Sequence, residues 1–140
     1  MKKILFILLM LSFGAKAQKS SSKLYKGTID SKPVTLYLKE NENPCGGFEN
    51  YMAIYRYGKN TPWIQLLPET DGKGNFTMPE FRFTGVMILQ KTSNGMQGIW
   101  ISPDGKRQLK VILNVQPLPK QQKDVMEDAL EKTNYGNYDC

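Results

Sequence analysis

Residues 86–115 read VMILQKTSNGMQGIWISPDGKRQLKVILNV. Two turn signals cut this stretch into three. Ser93-Asn94-Gly95 is the first. Ser102-Pro103-Asp104-Gly105 is the second and fits a type I turn, with Pro at its second position. In the last piece Leu109, Val111, Leu113 and Val115 fall on one face, the period of two expected of a strand. Three extended runs joined by hairpin-length turns predict an antiparallel meander.

The same pattern continues upstream. Residues 24–29 predict a first short strand, and Asp30-Ser31-Lys32-Pro33 turns the chain. Val34, Leu36 and Leu38 then share one face, while Thr35, Tyr37 and Lys39 share the other. A loop containing Asn43-Pro44-Cys45-Gly46-Gly47 leads into residues 48–57. There Tyr51, Ala53, Tyr55 and Tyr57 alternate with Met52, Ile54 and Arg56. Residues 63–67 form the next strand after Gly58-Lys59-Asn60. Residues 76–83 read as extended but interrupted by Pro79, which cannot donate to a ladder and marks an edge or bulge. The total is about eight short strands. It predicts a mainly β fold, an antiparallel meander closed into a small barrel or a sandwich.

Both ends differ from this body. Residues 1–17, MKKILFILLMLSFGAKA, have a positive start, an unbroken apolar run and a small-x-small site at Ala15-Lys16-Ala17. That is the layout of a secretory signal peptide, cleaved after Ala17. The apolar run is about half the roughly 20 residues a spanning helix needs. The expectation is export to the periplasm or beyond, with no stable membrane anchor. Residues 18–23 then form a flexible N-terminus and residues 24–116 the β-domain. Pro117-Leu118-Pro119 stops the last strand. Residues 120–133 predict an amphipathic helix, with Val125, Met126, Ala129 and Leu130 on its apolar stripe and Asp128–Lys132 as an i,i+4 pair. Such a helix is marginal alone in water, so it is expected to lie on the barrel wall or across one mouth. The tail, 134–140, is expected to run back to the body.

Composition narrows the chemistry. The 140 residues suffice for one domain. There is no histidine, which excludes Ser-His-Asp and Cys-His nucleophiles and His-ligated zinc. Loss of Lys2, Lys3 and Lys16 with the leader lowers the formal net charge from +6 to +3. The remaining basic residues are scattered among acids, with no run longer than Lys106-Arg107. Nucleic acid is therefore not an expected partner. The two cysteines, Cys45 and Cys140, lie beyond the leader. In an exported chain an even count predicts a disulfide between them, worth about 4–5 kcal/mol by the chain-entropy argument. They lack the Cys-x-x-Cys spacing of a redox pair.

Constellations for catalysis are weak. Glu49 and Glu80 are the carboxylates flanked by aromatics, but nothing in their spacing brings them together as a glycosidase pair would require. Asp71-Gly72-Lys73-Gly74 lacks the ligands of a calcium loop. The reading is no enzyme, no cofactor and no metal. The aromatic set carries more. Tyr51, Tyr55 and Tyr57 share a strand face, Trp63 and Trp100 lie in later strands, and Arg56 and Arg82 lie among them. Aromatic and Arg side chains dominate binding hot spots, so these seven are the candidate binding residues.

Three phrases carry a resemblance. They are Tyr25-Lys26-Gly27-Thr28-Ile29-Asp30 with Lys32-Pro33-Val34-Thr35-Leu36-Tyr37-Leu38, then Asn43-Pro44-Cys45-Gly46-Gly47, then Gly98-Ile99-Trp100-Ile101-Ser102-Pro103-Asp104-Gly105. Together they resemble small exported bacterial β-meander proteins of unassigned function. Size and meander are similar to the lipocalin and lysozyme-inhibitor type of small barrel. A lipocalin opens its first strand on Gly-x-Trp, whereas Gly98-Ile99-Trp100 comes late here, so no ligand site is carried over.

Two expectations follow. One is a monomeric, disulfide-stabilised domain that binds an envelope or extracellular protein as an inhibitor or immunity factor does. The other is a lipocalin-like carrier of a small apolar ligand. They differ in one physical respect: a carrier needs an empty apolar cavity, and an inhibitor needs a filled core and an outward hot spot.

Overall fold

The computed structural model describes residues 19–47 and 49–138. Nine strands and one helix follow in order: β1 (Ser20–Ile29), β2 (Lys32–Asn41), β3 (Asn50–Tyr57), β4 (Ile64–Leu66), β5 (Glu69–Thr70), β6 (Asn75–Pro79), a 3₁₀ turn (Phe81–Phe83), β7 (Val86–Lys91), β8 (Gly95–Ile101), β9 (Gln108–Gln116) and α1 (Lys120–Tyr138). All pairings are antiparallel, in the order β4-β3-β2-β1-β9-β8-β7-β6-β5. Sequence neighbours pair throughout each arm, and β1 joins the arms by pairing with β9. The fold is mainly β, a meander sheet curled into a half-barrel with one C-terminal helix. Where β4 curls back, Leu66 bridges to Glu80 and the Leu67 N–H donates to the Pro79 carbonyl at 2.8 Å.

Two glycines let the sheet bend. Gly27 and Gly98 occupy inward positions, opposite Val34 and Leu113, and opposite Leu89 and Val111. A Cβ on Gly27 would stand 1.8 Å from the Ile112 carbonyl oxygen, and one on Gly98 1.9 Å from that of Ile88. Neighbouring backbones occupy the space a side chain needs, the usual role of glycine at a tight bend in a sheet.

The alternation read from the sequence separates two cores. Inward residues, among them Val34, Leu36, Leu38, Tyr55, Phe76, Met87, Leu89, Val111 and Leu113, form one continuous buried cluster. A second core lies on the outer face of β1–β3, where Leu24, Tyr37 and Ile54 pack with Met126 and Leu130 of α1. The face of β2 that carries Tyr37 is thus covered too, and Tyr37 is fully buried.

Several expectations need correction. The described residues hold nine strands where about eight were expected, the addition being β5, whose two residues are too short to show a period. Residues 20–23, expected to be flexible, open β1 by pairing with residues 38–41 of β2. Residues 81–83, expected to be extended, form the 3₁₀ turn, since the chain must reverse between β6 and β7. The helix continues to Tyr138, so residues 134–138 do not return as a tail. Its seam centres on Met126 and Leu130, and Val125 stands 57% exposed. The helix lies on the wall of the half-barrel, and no helix among the described residues is long and apolar enough to cross a membrane. The expected bridge is absent among the described residues: Cys45 is an exposed free thiol there, and its expected partner, Cys140, lies outside them. The leader, residues 1–17, also lies outside the described residues.

Candidate binding site at the curled end of the sheet

The inward face of β3 ends in Tyr55 and Tyr57, and β8 brings Trp100 opposite them through the curl. Between them sits Glu80, a carboxylate only 4% exposed. It accepts a hydrogen bond from the Tyr55 hydroxyl, one from Thr84 Oγ1 at 2.5 Å and one from the Trp100 indole N–H at 2.7 Å. Three donors hold one buried carboxylate, as burial of an unpaired charge would otherwise be costly. The phenols feel it. Burial first, then the hydrogen bond to Glu80 and its charge, push the Tyr55 pKa far above the ordinary value. Burial also raises Tyr57, assisted by the Glu80 charge and opposed by the Tyr55 hydrogen bond and by Arg107. The Tyr55 and Tyr57 rings meet edge to face at 5.6 Å, and the Arg107 guanidinium lies 6.0 Å from the Trp100 ring.

Glu80 anchors a tight loop. Its N–H donates to the Gly85 carbonyl at 2.9 Å, and its carbonyl accepts from the Phe83 N–H at 2.7 Å. Between these ties, Arg82 and Phe83 adopt left-handed backbone with φ of 63° and 54°. For non-glycine residues such conformations cost of order 1–3 kcal/mol each and persist where surrounding contacts over-determine them. Those contacts are the Glu80 bonds and the Trp100 indole, which covers Gly85 so closely that a Cβ there would meet Nε1 at 2.4 Å. The loop presents Phe83, 56% exposed, and the exposed Arg82, whose guanidinium lies 5.5 Å from the Phe81 ring. Phe81 in turn meets Tyr138 of α1 edge to face at 5.2 Å.

The seven candidate residues divide. Tyr55, Tyr57 and Trp100 come together around Glu80, and Arg82 sits on the loop Glu80 anchors. Tyr51 faces inward but further along β3, edge-on to Phe76 at 5.2 Å and donating to Glu40 at 3.3 Å. Arg56 and Trp63 belong to the other side of the sheet, with the guanidinium 4.4 Å over the indole ring. Glu49 is exposed in the β2–β3 loop, six residues or roughly 20 Å along β3 from Tyr55, so it does not pair with Glu80. Phe83, Thr84 and Gly85 were not marked by the sequence. Their signal was weak: a Pro-Glu step and a glycine bracketing two aromatics and an arginine.

Grooves flank α1 on the outside. One, of about 690 Å³, is lined by Lys39 and Met52 of the sheet and by Asp124, Glu127, Asp128 and Glu131 of the helix. Inside it Glu127 accepts from Lys39 at 2.5 Å, from Tyr37 at 2.5 Å and from Ser22 at 3.3 Å. Burial draws the Glu127 pKa up, but the bonds from Lys39 and Tyr37 and the Lys39 charge outweigh it and leave it below the ordinary value. Among the described residues no group of His, Cys, Asp and Glu is arranged to hold a metal ion.

No family model matches the sequence, and neither a curated protein nor a solved structure matches it. The functional reading rests on the site itself.

Proposed function

We propose that this is an exported, non-catalytic β-domain that binds a protein partner in the cell envelope, in the manner of an inhibitor or immunity factor. The loop from Glu80 to Gly85 is the part that meets the partner. One observation carries the reading: an exposed Arg82-Phe83 tip is held in strained backbone by a buried, triply bonded carboxylate. A tip fixed before binding loses little conformational freedom on contact, which is how preorganised loops gain affinity. An exposed Phe and Arg side by side have the composition of a hot spot. The Glu80 carboxylate serves the loop as an anchor, its oxygens occupied by Tyr55, Thr84 and Trp100.

The carrier reading has less support. The inward side chains pack against one another from Tyr25 through Leu113 as one buried cluster, where a carrier would keep space for its ligand. The experiment is native mass spectrometry of the protein purified gently from its own envelope fraction, paired with capture on the immobilised domain. The expected result is a stoichiometric protein partner retained by the wild type and lost from an R82A/F83A variant. An added mass of a few hundred daltons, or equal capture by both forms, would overturn the proposal.

A further inference from the structure

On the outer face, Lys26, Thr35 and Arg56 form a straight cross-strand row. Lys26 stands opposite Thr35 in the β1–β2 register, and Thr35 opposite Arg56 in the β2–β3 register. Adjacent strands lie about 4.8 Å apart, so the two cationic residues rise from backbone roughly 10 Å apart. They line a groove of about 430 Å³ closed on other sides by Lys59 and by Gln122 and Met126 of α1. Its lining holds three cations and no carboxylate. Among the described residues the ion pairs are Lys39–Glu127 and Lys132–Asp128, so none of the three cations is neutralised there. The first turn of α1 also carries no acid, and the positive end of its dipole adds to the field.

Arg56 is the notable member. The centre of its guanidinium lies 4.4 Å over the Trp63 ring, a cation–π contact that tethers the fork at the groove. Its Nε is buried without a hydrogen-bond partner. Buried donors are normally satisfied, and an arginine fork with its Nε–H unspent is suited to bidentate contact with two oxygens of an oxyanion. Like charges placed on one row repel unless an anion sits between them. The groove on the opposite side of α1 is lined by Asp124, Glu127, Asp128 and Glu131 against the single cation Lys39, an excess of the opposite charge. The helix therefore separates an anion-attracting groove from a cation-attracting one.

We propose that the groove is a binding site for an oxyanion, carboxylate or phosphate, carried on a small apolar body. Arg56 supplies the planar fork, Lys26 and Lys59 supply flanking charge, Thr35 supplies a hydroxyl, and Met126 meets the apolar part. A volume of this size suits a small organic molecule. The site lies on the face opposite the packed interior and is independent of the partner-binding loop.

The test is ¹⁵N NMR on the purified protein, titrated with inorganic phosphate, phenyl phosphate and benzoate, each against sodium chloride at matched ionic strength. The Arg56 Nε–H and the Trp63 indole N–H are expected to shift saturably, while the Trp100 indole stays still. Phenyl phosphate is expected to bind at least about tenfold tighter than inorganic phosphate, and R56K to weaken binding about tenfold although the charge remains. K110Q, on the outer face of β9, is expected to change nothing. Shifts that do not saturate, that chloride reproduces or that survive in R56Q would overturn the site. Equal affinity for phosphate and phenyl phosphate would overturn the apolar-body half. If R56Q fails to fold, the K26Q/K59Q variant decides: a loss of about tenfold supports the site, and unchanged affinity removes it.

Discussion

Gly85 has no room for one more carbon. The Trp100 indole occupies the space, and through it Gly85, Glu80 and Thr84 are held in one arrangement. Gly85→Ala should displace the indole, with a red-shifted and altered tryptophan emission and a stability loss of about 1–3 kcal/mol in chemical denaturation. Unchanged emission would show that the indole does not depend on this glycine. Tyrosines offer a second check. Burial, aided by the Glu40 charge, pushes Tyr25 up to about 12, and burial with Glu40 and Glu49 pushes Tyr51 up to about 12. Both shifts favour the neutral phenol in the folded state. The stabilisation is therefore full below the ordinary value near 10 and is lost as pH rises towards 12. Alkaline difference spectroscopy should show these phenols ionising only as the fold opens. The tyrosine face was legible because Tyr51, Tyr55 and Tyr57 obey a period of two. The placement of Arg56 and Trp63 was not, because a period says which residues share a face and not what covers it.

At the scale of elements, α1 is the part whose docking can be tuned. Its contact rests on Met126 and Leu130 against Leu24, Tyr37 and Ile54, with Glu127 bonded to Lys39, Tyr37 and Ser22. Leu130→Ala should cost about 2–5 kcal/mol, read by thermal or denaturant unfolding, whereas Val125→Ala, at an exposed position, should cost under about 0.5 kcal/mol. Glu127 has a lowered pKa, so it stabilises the docked helix above the ordinary carboxylate range, and this support drains away as pH falls through the lowered value. Hydrogen exchange along α1 should therefore accelerate in acid before that of β8 and β9. In Glu127→Gln, about 1 kcal/mol less stable, that pH dependence should flatten. Apolar spacing announced the helix and its start. The end was misplaced because residues 134–138 are polar and aromatic, and tertiary contacts carry them: Asn137 donates to Gln65 at 2.7 Å and Tyr138 meets Phe81.

For the whole molecule, the meander was readable from local turns, since each hairpin is declared by residues beside it. The pairing of β1 with β9 was not, because no local signal links residues 24–29 to residues 111–116. Curvature was hidden likewise: Gly27 and Gly98 look like ordinary strand glycines until the neighbouring backbone is placed. The state of Cys45 gives a direct test. As an exposed thiol it should react with Ellman's reagent in the native protein within minutes. A native protein that yields no thiol until reduced would restore the bridge to Cys140. The order of strands has a further consequence for how the chain is made. Of the described elements β1 comes first and waits for β9 to complete its second edge, and the outer face of β1–β3 waits for α1, the last of them. A chain emerging from the ribosome thus carries Leu24, Tyr37 and Ile54 uncovered until residues 120–138 have followed. The helix settles on strands that emerged well before it, so a chain interrupted before residue 120 leaves that seam open to aggregation and proteolysis.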